Sequence, residues 1–156
     1  MTGASGIRPA TAQDLPAALK LLGEAALPIA DLCAERIALV AYRQEEVQGV
    51  IGLESFKDIG LLRSLVVSRA ARGSGVGAAL VAALEAACWD RGIQELWLLT
   101  IDADSFFEKL GYVARGRDDA PDAIRDTEEF STLCPGDAVL MSKALRSLTV
   151  PEHLLT

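Results

Sequence analysis

The segment 65–77 constrains the fold of this chain more than any other stretch. An apolar strand-like run, a glycine-rich loop and the start of a helix follow one another there. Glycines let a backbone approach phosphate oxygens closely, and the unpaired N–H groups of a helix N-terminus attract anions. The segment therefore predicts an anion-binding turn. Its residues are Leu65, Val66 and Val67 in the strand and Arg72, Gly73, Ser74, Gly75, Val76 and Gly77 in the loop and first helical turn.

Other phosphate motifs and a plain turn compete as interpretations of this loop. The nucleotide-binding pattern GxxxxGK[ST] is absent from the chain. Residues 73–78 fit the dinucleotide pattern GxGxxA, which would indicate a nicotinamide-dependent oxidoreductase. Against that interpretation, several residues separate the strand from the first glycine, and an antiparallel meander before the loop does not belong to a doubly wound sheet. A plain turn needs neither three alternating glycines nor the flanking Arg69 and Arg72.

Periodicity along the rest of the chain predicts an α+β fold with one mixed sheet. Three strand-like runs with short connections precede the loop, and they predict an antiparallel meander. The next apolar strand follows a helix, so it should lie parallel to the third run and beside it. The predicted helices span 14–26, 78–91 and 102–110, with a helical turn at 29–35, and the predicted strands span 7–9, 38–43, 47–56, 61–67, 96–99, 112–115 and 139–144.

Composition excludes several classes of protein. The 156 residues, 51% hydrophobic and 24% charged, fit one domain, expected over 1–145 with a loosely held tail at 146–156. An apolar run of about 18 residues is missing, so we expect no membrane span and a cytoplasmic location. The net charge of −7 argues against a general nucleic-acid binder, although residues 59–84 hold three arginines and no acid. Three scattered cysteines and one histidine predict no metal site.

Two motifs in order resemble those of the Gcn5-related N-acetyltransferase (GNAT) superfamily. The pattern Arg72-x-x-Gly75-x-Gly77 after an apolar strand resembles the family's pyrophosphate-binding signature, and residues 103–112 resemble its second motif. The resemblance runs over roughly residues 7–145. It implies a central mixed sheet of about six or seven strands, helices on both faces, and fourth and fifth strands that splay apart. Acetyl-CoA would lie in that gap as the co-substrate, without a metal.

The same resemblance implies how acetyl-CoA is held. Its pantetheine arm would pair with the backbone of residues 65–67, and its pyrophosphate would sit on residues 72–77. Phe107 stands where many relatives carry a tyrosine general acid, and we expect it to contact acetyl-CoA. Leu61 stands where some relatives keep a glutamate base. General acid help is worth roughly 10²-fold or more, so its loss would slow transfer without abolishing it.

Three residues are candidates for catalysis, namely Glu54, Arg63 and Ser64. Glu54 is the best replacement base, because an acid is unusual in a central strand. Alternatively, it points to solvent or pairs with Arg63 across the hairpin. Arg63 and Ser64 lie beside the acetyl site in this alignment, and one of them should face the cleft because strand side chains alternate. Arg63 would suit a carboxylate on the acceptor, or it forms a surface ion pair.

Three short segments indicate which class of acceptor to expect. Residues 124–135, with 62–64 and 141–143, resemble the amino-acid N-acetyltransferase branch and, more narrowly, GNAT proteins found with arsenic-resistance genes. That resemblance implies a small-molecule amine, an amino acid or an analogue, as the acceptor. A protein or peptide N-terminal acetyltransferase and a non-catalytic acyl-CoA sensor stay open as alternatives. Cys134 is expected to be a packed small residue, and a homodimer through an edge strand is compatible with the sequence.

Overall fold

A computed structural model describes residues 5–24, 37–44, 46–127 and 138–145 of the chain. The helical turn expected at 29–35 and the tail at 146–156 lie outside these ranges. No helix within them is long and apolar enough to cross a membrane. The helices are α1 Leu15–Glu24, α2 Val76–Asp90, α3 Asp104–Lys109 and α4 Asp122–Arg125, and the strands are β1 Ser5–Pro9, β2 Ile37–Arg43, β3 Glu46–Phe56, β4 Ile59–Val67, β5 Glu95–Thr100, β6 Val113–Arg115 and β7 Val139–Ala144.

The seven strands form one sheet in the order β1-β2-β3-β4-β5-β7-β6. The first four strands make an antiparallel meander, and β4 pairs with β5 in parallel. Strand β7 then inserts between β5 and β6, antiparallel to both. The predicted meander, the predicted parallel neighbour and the mixed α+β fold class are thereby confirmed.

Local chemistry sets the ends of the helices. Helix α2 is flanked by Gly75 and Gly92, whose φ angles of 87° and 85° lie in the left-handed region that glycine tolerates best. Helix α3 begins later than the predicted residue 102, because the Ala103 N–H donates to Thr100 Oγ1 at 3.0 Å and holds the preceding turn outside the helix. It ends before Gly111, whose φ is 100°.

Both faces of the sheet are covered, because neighbouring strand residues belong to different apolar clusters. Helices α2 and α3 pack on one face. Helices α1 and α4 pack on the other face, against two separate clusters. The α2/α3 face contributes Ile51, Leu53, Leu62, Leu96, Leu98 and Met141, the α1 cluster contributes Ile37, Val40, Val50 and Val66, and the α4 cluster contributes Leu61, Trp97 and Leu140.

Candidate active site

Strands β4 and β5 separate soon after they begin. Their parallel pairing consists of Ile59 with Glu95, Gly60 with Leu96, and Leu61 with Trp97. Beyond the last pair, β4 continues to Val67 and β5 to Thr100 without pairing to each other. From residue 62 to 67, the β5-facing edge of β4 therefore has no strand partner within the described chain. Such an edge offers backbone N–H and C=O groups to an extended ligand.

A β-bulge lies on this unpaired stretch of β4. Between the pairs Val50–Val66 and Gly52–Arg63, β3 advances by two residues and β4 by three, so β4 carries one extra residue. Ser64 has a φ of 59°, a left-handed conformation that is uncommon outside glycine. As a result, Arg63 and Val66 share one face of the sheet although they are three residues apart. Strain of this kind concentrates at functional sites.

The glycine-rich loop after β4 owes its shape to backbone conformation. Gly73 has a φ of 80° and Gly75 a φ of 87°. A Cβ built on either residue would meet nothing within 4 Å. Glycine is therefore needed at these two positions for its φ angle and not for lack of space. The third glycine differs, because a Cβ on Gly77 would lie 3.4 Å from the ring of Phe106.

The loop presents a row of unpaired N–H donors at the N-terminus of the 15-residue helix α2. Ala79 is the first helical residue whose N–H reaches an acceptor, the carbonyl of Gly75 at 3.0 Å. Exposed Arg72 lies beside these donors, and its Nε donates to the Val67 carbonyl at 3.3 Å. Donors, helix dipole and guanidinium together fit a pyrophosphate. In this loop and first helical turn, the N–H groups with no acceptor among the described residues are those of Gly73, Gly75, Val76, Gly77 and Ala78.

The two adjacent phenylalanines of α3 lie in different surroundings. Phe107 is buried in the α2/α3 core, with its ring 5.5 Å from that of Tyr112 and at 74° to it. Phe106 is instead the ring that meets the first turn of α2 at Gly77. Successive helical residues point about 100° apart, and the Phe-Phe doublet alone did not reveal which ring would face the loop. A contact between Phe107 and acetyl-CoA stays a prediction, and Phe106 was missed as a candidate.

The three catalytic candidates lie together at the point where β4 and β5 separate. Arg63 Nη1 donates to Glu54 Oε2 at 3.1 Å, and Arg63 Nε lies 3.5 Å from Ser64 Oγ. The Arg63 side chain is 0% exposed and that of Glu54 is 12% exposed. The ion pair that we considered is therefore present, but it is buried and not on the surface. Regular pairing accounts for the contact, since Leu61 lies opposite Glu54 and Arg63 opposite Gly52, which places Arg63 and Glu54 on the same covered face.

Tyr112 is unsuited to act as a general acid. Its hydroxyl donates to Glu85 Oε2 at 2.9 Å, and Lys143 Nζ donates to both oxygens of the same carboxylate at 3.0 and 3.1 Å. Burial, and then the charge of Glu85, raise the pKa of Tyr112 far above its ordinary value. The network ties α2 to β7 in the core.

Several predicted features fall outside the described residues. Residues 128–135 of the acceptor segment, including Cys134, are among them. Of the described part, Ile124 is buried against Leu61 and Trp97, and the Arg125 guanidinium donates to the Asp118 carbonyl at 2.7 Å. The segment thus begins on the face that carries Glu54 and Arg63.

A family model matches the part of the chain that contains the loop and the splayed strands. The acetyltransferase (GNAT) domain model matches residues 34–114, just over half of the chain. Comparison with curated proteins gave no significant match.

Solved structures share the fold at low sequence identity. N-acetylglutamate synthase from Neisseria gonorrhoeae, complexed with coenzyme A and N-acetyl-glutamate, has a TM-score of 0.77 at 20% identity over 94% of this chain and 36% of that one. Rv2747 from Mycobacterium tuberculosis, in complex with CoA, has a TM-score of 0.74 at 22% identity over 90% of this chain and 99% of that one. The ribosomal-protein-S18-alanine N-acetyltransferase from Escherichia coli has a TM-score of 0.71 at 21% identity over 96% of this chain and 98% of that one. This chain spans about a third of the length of the N-acetylglutamate synthase chain.

Proposed function

Because this chain belongs to the GNAT family of acetyltransferases, we propose that it transfers the acetyl group of acetyl-CoA to the amine of a small molecule, an amino acid or an amino-acid analogue. One observation carries the proposal: a row of unpaired N–H donors begins helix α2 at the end of the strand that separates from β5. The donor row and the unpaired edge of β4 are continuous along the chain, so one extended ligand can use both.

The residues present fit acetyl-CoA in two places. The unpaired N–H groups of Gly73 and of residues 75–78, with Arg72, match the charge and the acceptors of a pyrophosphate. The edge of β4 at residues 65–67 matches the alternating amide groups of a pantetheine arm, as an added strand would. The backbone around Val66 would then polarise the thioester carbonyl. No metal is needed for this chemistry.

The transfer needs a neutral amine and a stabilised oxyanion. The nitrogen lone pair attacks the thioester carbonyl carbon, the C–N bond forms, and the C–S bond breaks as the sulfur leaves as a thiolate. The proton lost by the amine goes to a base, and the thiolate takes up a proton from water to give CoA. Glu54 lies opposite Leu61, the last β4 residue that pairs with β5, and we assign it the role of base, directly or through a water molecule.

The small-molecule acceptor rests on two supports. One is the sequence resemblance to the amino-acid branch and to proteins found with arsenic-resistance genes. The other is the likeness to N-acetylglutamate synthase, whose structure holds N-acetyl-glutamate. A peptide or protein N-terminus is the second candidate acceptor, and the likeness to the S18-alanine enzyme favours it. A cytoplasmic location and a homodimer remain predictions.

The test is acetyl transfer by purified protein, followed as CoA release and as acetylated product by mass spectrometry. The panel contains amino acids with their carboxamides, phosphorus- and arsenic-containing amino-acid analogues, polyamines, short peptides and a control without amine. We expect product with an amino-acid-like member. Product with peptides alone would support the second candidate. Binding of acetyl-CoA without any product would support an acyl-CoA sensor, and failure to bind it would refute the assigned site.

A further inference from the structure

The buried pair of Arg63 and Glu54 is a charged contact at the point where β4 and β5 separate. Glu54 lies opposite Leu61 on β4, and Leu61 forms the last pair with β5. Arg63 lies two residues further along β4, and its Nη1 reaches back to Glu54 Oε2 at 3.1 Å. The pair therefore sits directly beside the gap in which transfer is proposed to occur.

Apolar residues precede and follow Arg63 on its face of β4. Along the same face of β4, Leu61 belongs to the cluster under α4 and Val66 to the cluster under α1. Arg63 lies between these two clusters with its side chain fully covered. Replacing a buried ion pair by apolar side chains of similar volume is often neutral or stabilising. The buried pair is therefore weak evidence for a purely stabilising role, and its place beside the cleft suits a role in the site.

The two members of the pair differ in what they can offer a ligand. The guanidinium is 0% exposed, so an acceptor's carboxylate cannot reach it without displacing its cover. The Glu54 side chain keeps 12% of its surface exposed. Of the pair, only the carboxylate is therefore presented to a ligand. A carboxylate attracts an ammonium group and can take up its proton.

We propose that Arg63 is a positioning residue, which orients the Glu54 carboxylate toward the acceptor's ammonium group and does not itself bind the acceptor. This inference rests on the proposed function and deepens it. It reverses the role of carboxylate ligand that the sequence suggested for Arg63. The acceptor is then selected at this point through its amine and not through an acid group.

The experiment compares Arg63→Met, Arg63→Lys, Glu54→Gln and the double variant Arg63→Met/Glu54→Gln. Each is assayed with an amino acid accepted by the wild type and with its carboxamide, for example L-leucine and L-leucinamide. Arg43→Met, which removes an exposed arginine at the end of β2, is the matched control for loss of charge. Thermal unfolding and the Kd for acetyl-CoA establish that each variant is folded and binds its donor.

We expect Glu54→Gln to lower kcat by about 10²-fold or more, as removal of a base does. Arg63→Met should lower kcat by a similar factor and equally for both acceptors, while KM stays within about threefold. Arg63→Lys should restore part of the activity, because it keeps the charge but not the planar fork. The double variant should be no slower than Glu54→Gln alone, since residues that act as a unit are non-additive.

Three results would overturn the inference. One is a loss in Arg63→Met that appears in KM and only for the acceptor with a free carboxylate. Another is full activity in Glu54→Gln. The third is an additive loss in the double variant. If the wild type acetylates only the amino acid or only its carboxamide, the test uses that acceptor alone. A fall in kcat in Arg63→Met then supports the inference, and a rise in KM contradicts it. Failure of the proposed function is distinguishable, because the wild type would then acetylate no amine, which would also remove the basis for this inference.

Discussion

Replacing Gly75 by alanine tests whether the loop before α2 binds the pyrophosphate of acetyl-CoA. Gly75 is the residue that precedes α2, with φ 87° and ψ 5°. A Cβ at this position would meet nothing within 4 Å, so the substitution adds no clash with the protein. The alanine is disfavoured only by its left-handed conformation, which costs an L-residue about 1–2 kcal/mol.

That strain gives the size of the expected effect. If the loop of the Gly75→Ala variant relaxes out of the left-handed conformation, the N–H groups turn away from the ligand. Binding must then restore the original conformation and supply the strain energy. With about 1.4 kcal/mol for each tenfold in affinity, the Kd for CoA should rise by roughly 5- to 30-fold.

Gly92 provides a matched control at the other end of the same helix. Its φ is 85°, and a Cβ there also meets nothing within 4 Å. Gly92→Ala should therefore lose at most about 1–2 kcal/mol of unfolding free energy, and Gly75→Ala should lose less, because its relaxed loop releases the strain until CoA binds. It should leave the Kd for CoA unchanged, because the C-terminal end of α2 lies away from the donor row.

The measurements are isothermal titration with CoA and urea unfolding of the wild type and both variants. A second comparison uses S-acetyl-pantetheine, which lacks the pyrophosphate. Gly75→Ala should lower kcat/KM for acetyl-CoA but not for this truncated donor. Two results would refute the assignment of the loop. One is equal CoA affinity in Gly75→Ala and the wild type, and the other is an equal loss of CoA affinity in Gly75→Ala and Gly92→Ala.

Three further predictions concern groups outside the loop. Tyr112→Phe should lower the unfolding free energy by about 1–2 kcal/mol, because it removes the hydrogen bond to Glu85. It should leave kcat unchanged, and a large fall in kcat would indicate that Tyr112 acts as a general acid after all. The bidentate contact with Arg8 lowers the pKa of Asp14 from 3.8 to about 2. Asp14→Asn should therefore lower the unfolding free energy by about 1–2 kcal/mol at neutral pH, as measured by urea unfolding. The wild type should lose this advantage over the variant as the pH falls from about 4 to 2, and an unchanged difference at pH 2 would contradict the linkage. Burial raises the pKa of Cys88 to about 11, so iodoacetamide at pH 8 should leave Cys88 unmodified in the native protein, as mapped by mass spectrometry, and modify it in urea.

Much of the architecture could be predicted because it follows from local patterns. Alternating apolar residues with short turns predicted the meander, and the bounds predicted for the last strand, 139–144, are those of β7. The glycines at 73 and 75 predicted the loop, because left-handed conformations leave a residue-type signal. The resemblance to the GNAT family supplied the splayed strands, which periodicity alone does not reveal.

The bulge at Ser64 could not be predicted, since serine carries no signal for a positive φ. One extra residue in β4 changes which side chains share a face, and simple alternation then assigns Arg63 and Val66 to opposite faces. The contact of Arg63 with Glu54 depends on the register of β3 against β4 and on what covers that face of the sheet. Alternation within one strand gives neither, so the sequence left open whether Arg63 contacts Glu54 or an acceptor. The surroundings of Phe107 depended on the rotation of α3, which a six-residue helix does not fix from sequence.

The positions of the aromatic residues indicate that the proton transfer in need of catalysis is removal of a proton from the acceptor amine. The chain has two tyrosines. Tyr112 is held by Glu85 in the core, and Tyr42 lies on β2 under Arg8, two strands away from β4. Phe107 replaces the tyrosine that many GNAT relatives use as an acid. A CoA thiol has an ordinary pKa near 8.5, so its thiolate can leave without an acid, whereas an amine with a pKa near 10 must lose a proton before it attacks. In the proposed mechanism, the carboxylate of Glu54 positioned by Arg63 would take up that proton.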